Sequence, residues 1–159
     1  MYLLNRETDD DWWEVEALFD LAFAPGREAL SSYRLRDGNP QVADLSLVAR
    51  DPDGILAGAI RYWPVSIQGA PTLLLGPIAV HPTRQGEGLG GLLIEESLDQ
   101  AHGWDRAMLV GDATYYGRYG FSRIEGVVMP PPTNPNRVLG RALSLGGWDG
   151  VIGEVTRPV

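Results

Sequence analysis

The sequence predicts a single mixed α/β domain, a sheet with parallel strands in its middle and helices packed against it. Three observations predict this. Two strand-like apolar runs, Leu45 to Arg50 and Ile55 to Ile67, flank Asp51-Pro52-Asp53-Gly54, whose proline and glycine suit a hairpin turn. Leu73 to Val80 is an almost unbroken apolar run, the pattern of a strand buried on both faces. A strand–loop–helix–strand order follows it, and the loop Gly86-Glu87-Gly88-Leu89-Gly90-Gly91 places four glycines where the helix begins.

The elements follow in chain order. Thr8-Asp9-Asp10-Asp11 reads as a helix start, a hydroxyl cap with carboxylates at the positive end of the helix dipole. Val15, Leu18, Phe19, Ala22 and Phe23 then keep the spacing of an amphipathic helix, which Pro25-Gly26 is expected to end. A second helical piece is expected from about Arg27 to Arg36, before Asp37-Gly38-Asn39-Pro40 breaks the chain. Beyond the hairpin, Gln68-Gly69-Ala70-Pro71 is a further turn. Within Leu73 to Val80 the Gly76-Pro77 pair predicts a bulge or a splayed strand, because proline has no N–H for the ladder. Leu89 to His102 reads as a helix with Ile94, Leu98 and Ala101 on one side and Glu95, Glu96 and Asp99 opposite. Ala107 to Val110 is a short buried strand, and Ala113 to Tyr119 a short helix stopped by Gly120. The tail carries Val127-Val128-Met129, then Pro130-Pro131-Pro132, and one more strand at Val151 to Val155. Neither a repeat nor a long linker divides the chain.

Composition narrows the functional classes. A length of 159 residues with 44% hydrophobic and 21% charged side chains suits one globular core. The net charge of −8 argues against nucleic-acid binding, which needs clustered lysine and arginine. A negative field leaves room for a cationic acceptor, but it reads more readily as plain solubility. With no cysteine there is no disulfide and no protein thiolate, and with only His81 and His102 a histidine-rich metal site is not expected. No apolar run approaches the roughly 20 residues that span a bilayer. Met1 to Glu7 does not read as a secretory start, so the cytoplasm is the expected compartment.

The glycine loop matches G-x-G-x-x-G, and Asp112 lies about 20 residues on, where a dinucleotide fold places its ribose-binding acid. Context argues against that reading. His81-Pro82-Thr83-Arg84-Gln85 separates the strand from the first glycine, and the proline-rich tail leaves no room for another βαβ half. The same residues read better as Gln85-x-x-Gly88-x-Gly90, a run of backbone N–H groups opening onto a helix that can surround a pyrophosphate. A mere turn would not need so many glycines at a helix start, where each is unfavourable.

Val80-His81-Pro82-Thr83-Arg84-Gln85-Gly86-Glu87-Gly88-Leu89-Gly90 resembles the acetyl-CoA loop of the GNAT superfamily of N-acetyltransferases, [Q/R]-x-x-G-x-[G/A] after a strand ending in Val-x-Pro. Tyr115-Tyr116-Gly117-Arg118-Tyr119-Gly120-Phe121 resembles that family's tyrosine-containing helix ending in Gly-Phe. The resemblance covers residues 1 to about 125, with 126–159 as an extended tail. It implies a GNAT-like mixed sheet of about six to seven strands with its central parallel strands splayed.

The resemblance also implies roles. Backbone groups of Ile78, Ala79 and Val80 would pair with the pantetheine arm, and an N–H near Val80 would polarise the thioester carbonyl. Gln85, Gly86, Glu87, Gly88, Leu89, Gly90 and Gly91 would form the pyrophosphate cradle. Arg84 reads equally as a phosphate partner or a surface charge. Tyr116 would give a proton to the departing thiolate, with Tyr115 as the fallback. The acceptor is expected to be a primary amine, on a small molecule or a protein, attacking directly in a ternary complex. A general base stays unassigned, since Asp112, Glu125 and Asp44, which could act through water, read more readily as caps or surface charges, and His81 as structural or exposed. Segments 24–41 and 122–136 are expected to shape the acceptor site, and the tail is available for a homodimer contact. Two other readings are a non-catalytic acyl-CoA-binding module on the same fold and an NAD-dependent oxidoreductase.

Overall fold

The computed structural model describes residues 1–23 and 31–158. The expected end of the first helix at Pro25-Gly26, and the start of the second near Arg27, lie outside the described residues. Two compact units make up the chain. One is drawn from Met1–Arg27, Val42–Tyr62 and Gly76–Ala101, the other from Glu28–Gln41, Trp63–Leu75 and His102–Val159.

In the first unit, β1 (Leu3–Arg6) runs antiparallel to β2 (Leu47–Arg50), and β2 antiparallel to the first half of β3 (Leu56–Ile67). The Asp51–Gly54 turn joins β2 to β3, with Gly54 at φ 82°. The second half of β4 (Ala70–Val80) also belongs here. Thr8 starts a 3-10 turn over Asp9–Asp11 and shares a reciprocal cap with Asp11, whose carboxylate accepts from the Thr8 backbone N–H at 2.8 Å. Helix α1 (Trp12–Ala22) then buries Val15, Leu18 and Phe19 against Val48, Leu56, Ala59 and Ala79.

Helix α3 (Leu89–Asp99) buries Leu89, Leu93, Ile94 and Leu98. The buried Tyr62 hydroxyl meets the Ser97 hydroxyl at 2.7 Å, tying α3 to β3. Gly58 on β3 lets α3 approach, because a Cβ there would stand 3.1 Å from the Leu89 and Leu93 side chains and 3.2 Å from the Ala79 carbonyl. Gly58→Val should therefore overpack this contact by about 1–3 kcal/mol. The expected readout is a lower urea midpoint with an unchanged slope.

The second unit holds α2 (Ser31–Arg36), the remaining halves of β3 and β4, β5 (Arg106–Val110), α4 (Ala113–Tyr116), β6 (Ser122–Arg123), β7 (Val127–Val128), β8 (Val138–Ala142) and β9 (Gly153–Thr156). Strand β5 pairs parallel with β4 at Leu73–Ala107 and Leu74–Met108, and antiparallel with β8 along its whole length. The parallel ladder runs to Leu74, two residues before Gly76-Pro77, where proline has no N–H to extend it. Strand β8 also pairs with β6, and β9 joins β3 and β7. Leu74, Met108, Val127, Met129, Val138 and Val155 share one core.

Among the described residues there are nine strands, seven of four or more residues and two of only two, against the expected six to seven. Strands β1, β6 and β8 are absent from the sequence reading. Val138-Leu139-Gly140-Arg141-Ala142 has a glycine at its centre and no alternation, so it carries little strand signal. Gly140 has a tertiary cause, since a Cβ there would sit 2.8 Å from the Trp148 ring. No helix among the described residues is long and apolar enough to cross a membrane.

Candidate functional site

The first unit places Ile78, Ala79 and Val80 as the last residues of β4. Ala79 points into the α1 core, while Ile78 and Val80 remain half-buried. A 3-10 turn over Pro82–Arg84 follows, capped by His81, whose Nδ1 accepts from the Thr83 backbone N–H at 3.2 Å. His81 is thus a structural cap, as expected.

Gln85, Gly86, Glu87 and Gly88 are exposed. Gly86 (φ 85°) and Gly88 (φ 79°) occupy left-handed backbone, and a Cβ at either would meet nothing within 4 Å. Conformation therefore demands glycine here, and the space beside the backbone is open for a ligand to approach. Gly88 is the N-cap of α3, and its carbonyl accepts from Leu92 at 3.1 Å. The N–H groups of Leu89, Gly90 and Gly91 precede any carbonyl the helix could offer them. Leu89 is buried, which fixes the helix start while the loop stays open. Such an arrangement favours an anion with closely spaced oxygens.

The side chains around the loop are anchored. The Tyr2 hydroxyl donates to Glu87 Oε1 at 2.5 Å, and Arg84 Nη1 donates to the Tyr2 oxygen at 3.4 Å. Arg84 also pairs with Asp51, whose side chain is 3% exposed. Asp51 accepts from the backbone N–H groups of Ile55 (3.0 Å) and Asp53 (2.9 Å). Those two backbone bonds, led by Ile55 and reinforced by Arg84, hold its carboxyl below the ordinary aspartate range. Arg84 is therefore an anchored ion-pair partner, not a solvated charge.

Tyr116 lies in the second unit, as the last residue of α4. Asp112 caps that helix by accepting from Thr114 N–H at 3.0 Å. Gly120, at φ 83°, turns the chain after the 3-10 turn Gly117–Tyr119. The Tyr116 ring meets Tyr115 edge-on at 4.9 Å and Phe121 at 6.4 Å. It also lies against Gly111, where a Cβ would stand 2.5 Å from its Cε2. Among the described residues the Tyr116 hydroxyl makes no hydrogen bond. Burial pushes its pKa up, with Arg137 opposing and Asp112 adding to the rise. Burial, then a hydrogen bond with Tyr119, pushes the neighbouring Tyr115 to about 12.

The remaining candidate carboxylates lie at the surface. Asp44 is largely exposed and pairs with Arg6 at 3.4 Å, and Glu125 is exposed. Among the described residues no group of three His, Cys, Asp or Glu side chains could hold a metal ion. Sequence reasoning missed Tyr2 and Asp51 as anchors of the loop, Gly111 as the space for the Tyr116 ring, and Arg137 as the charge acting on it. Only Gly111 lies near its partner in the chain, and nothing in Val110-Gly111-Asp112 announces a ring against it.

The acetyltransferase (GNAT) domain family matches residues 43–123. The Escherichia coli strain K12 protein named uncharacterized N-acetyltransferase YhbS is 32% identical over 123 residues, covering 75% of this chain and 72% of its own length. The crystal structure of Escherichia coli YhbS in complex with CoA superposes with a TM-score of 0.84 at 28% identity, covering 98% of this chain and 89% of that one. A GNAT family acetyltransferase from Brucella melitensis, solved with acetyl-CoA, has a TM-score of 0.75 at 30% identity, covering 98% of this chain and 95% of that one.

Proposed function

The chain belongs to the GNAT acetyltransferase family, and from that premise we propose that it moves the acetyl group of acetyl-CoA to a primary amine by direct attack in a ternary complex. The observation that carries this is the loop from Gln85 to Gly91, with two left-handed glycines opening onto the start of α3. Acetyl-CoA is the co-substrate, and the similarity to proteins solved with CoA and acetyl-CoA supports it.

The loop N–H groups and the α3 N-terminus hold the pyrophosphate, with the Gln85 side chain beside them. Backbone groups of Ile78, Ala79 and Val80 take the pantetheine arm, and an N–H near Val80 steadies the charge that develops on the thioester oxygen. The amine nitrogen forms a bond to the acetyl carbon as the carbon–sulfur bond breaks. The amine sheds its proton to solvent water, the CoA thiolate takes one from Tyr116, and the tyrosine regains its proton from solvent. With no cysteine in the chain, a cysteinyl acyl-enzyme is excluded, which favours the direct route.

The deciding experiment is an acetyl-CoA-dependent screen of polyamines, amino sugars, amino acids and peptide amines that detects released thiol. Turnover with an amine is the expected result. Acetyl-CoA binding with no turnover across the screen would favour a binding module on the same fold. Calorimetric binding of NAD but not acetyl-CoA would overturn the reading outright.

A further inference from the structure

We propose that Tyr2 is a positioning residue of the donor site, holding the Glu87 carboxylate so that the loop can accept a pyrophosphate. The inference rests on the reading of the Gln85–Gly91 loop as the pyrophosphate cradle. Glu87 is the sole acidic side chain in that loop, and it sits between the two left-handed glycines. A free carboxylate there would oppose a dianionic ligand, by about 1 kcal/mol per charge pair at 4 Å even in water.

The structure gives that carboxylate a fixed partner. Tyr2, 85 residues away in sequence, donates to it at 2.5 Å, and Arg84 adds a positive charge at the same hydroxyl. Arg84 is held in turn by Asp51, which two backbone N–H groups of the β2–β3 turn lock in place. The chain Asp51–Arg84–Tyr2–Glu87 thus joins three separate pieces of the first unit to the loop. Asp51 orients the arginine, the arginine orients the phenol, and the phenol holds the acid. Each link lowers the freedom of the exposed Glu87 carboxylate. This side-chain chain is invisible to the loop motif, because neither Tyr2 nor Asp51 lies within it.

The test compares two donors, acetyl-CoA and S-acetylpantetheine, which keeps the thioester arm and lacks the pyrophosphate. In Tyr2→Phe, KM for acetyl-CoA should rise about 3- to 10-fold, as for one lost hydrogen bond. Its kcat should hold, and KM for S-acetylpantetheine should stay unchanged. Adding Glu87→Gln to Tyr2→Phe should bring KM for acetyl-CoA back down, because the fault is an unheld charge. A KM shift of equal size on both donors would show a merely structural tyrosine and overturn the proposal. So would no shift on either donor, or a double variant as weak as Tyr2→Phe alone. Wild-type protein that treats both donors alike would instead sink the cradle reading beneath it.

Discussion

Replacing Tyr116 with phenylalanine is expected to lower kcat by about 10²- to 10³-fold and leave acetyl-CoA affinity unchanged. The substitution removes one atom from a ring whose place is already set. Tyr115, Phe121 and the bare backbone of Gly111 hold that ring, and none of them touches it through its hydroxyl. Since the hydroxyl has no hydrogen-bond partner among the described residues, its loss strands no buried donor or acceptor. Folding stability should change little. What disappears is the proton. Burial raises the tyrosine's pKa, so at neutral pH the group carries its proton, as a general acid must.

The size of the effect follows from the mismatch with the leaving group. A phenol at or above about 10 gives its proton to a thiolate of about 8.5 against roughly 2 kcal/mol. That gap places the expected loss in the lower part of the range for a positioned acid. The sign of the pH dependence is fixed too. On the proposed acid role the protonated phenol is the active form, so the alkaline limb of kcat should lie above the ordinary tyrosine range. In Tyr116→Phe that limb should vanish. Tyr115→Phe is the control, expected near wild type, because a hydroxyl pushed to about 12 and bonded to Tyr119 is a poorer donor. An unchanged kcat in Tyr116→Phe would remove the assignment.

The loop was legible in the sequence because its requirement is local. Positive φ at Gly86 and Gly88 demands glycine whatever the rest of the chain does, so the residues themselves announce the backbone. The caps at Thr8 and Asp112, the Asp51–Gly54 turn and the stop at Gly120 are legible for the same reason. What stayed hidden depends on distant partners. Strand β8 has a weak local pattern, and its identity comes from pairing with β5 and from a glycine that makes room for Trp148. Strand β1 is mostly exposed, so it shows no apolar alternation, and its partner β2 lies more than 40 residues on. Asp51 reads from sequence as an ordinary turn residue, and its bond to Arg84 spans 33 residues. Spacing along the chain says nothing about contacts of that kind. The donor loop is thus written locally, while its supports are written in the fold.

The same contrast predicts the largest stability effect, at Arg61. This arginine is 5% exposed in the middle of β3 and meets two other pieces of the first unit at once. Its guanidinium takes Glu7 in a two-pronged pair, at 2.9 and 2.8 Å, just past the end of β1. It donates to Glu16 on α1, and it lies 5.2 Å over the Phe19 ring. Arg61→Met keeps most of the volume and removes the charge. The Glu7 carboxylate, 2% exposed, would then lie in the interior without its cation. Breaking a buried pair in this way costs about 3–5 kcal/mol, a large share of a typical total of about 5–15 kcal/mol. Melting should fall by about 10 °C, with the urea midpoint moving in step.

A second variant separates stranded charge from lost packing. Arg61→Met combined with Glu7→Met leaves no buried acid in that pair, so it should recover much of the loss. If the double variant is as unstable as Arg61→Met alone, the cost lies in packing against Phe19 and not in the charge. If Arg61→Met melts like the wild type, the ion pair does not hold α1 and β1 to β3, and some other contact must.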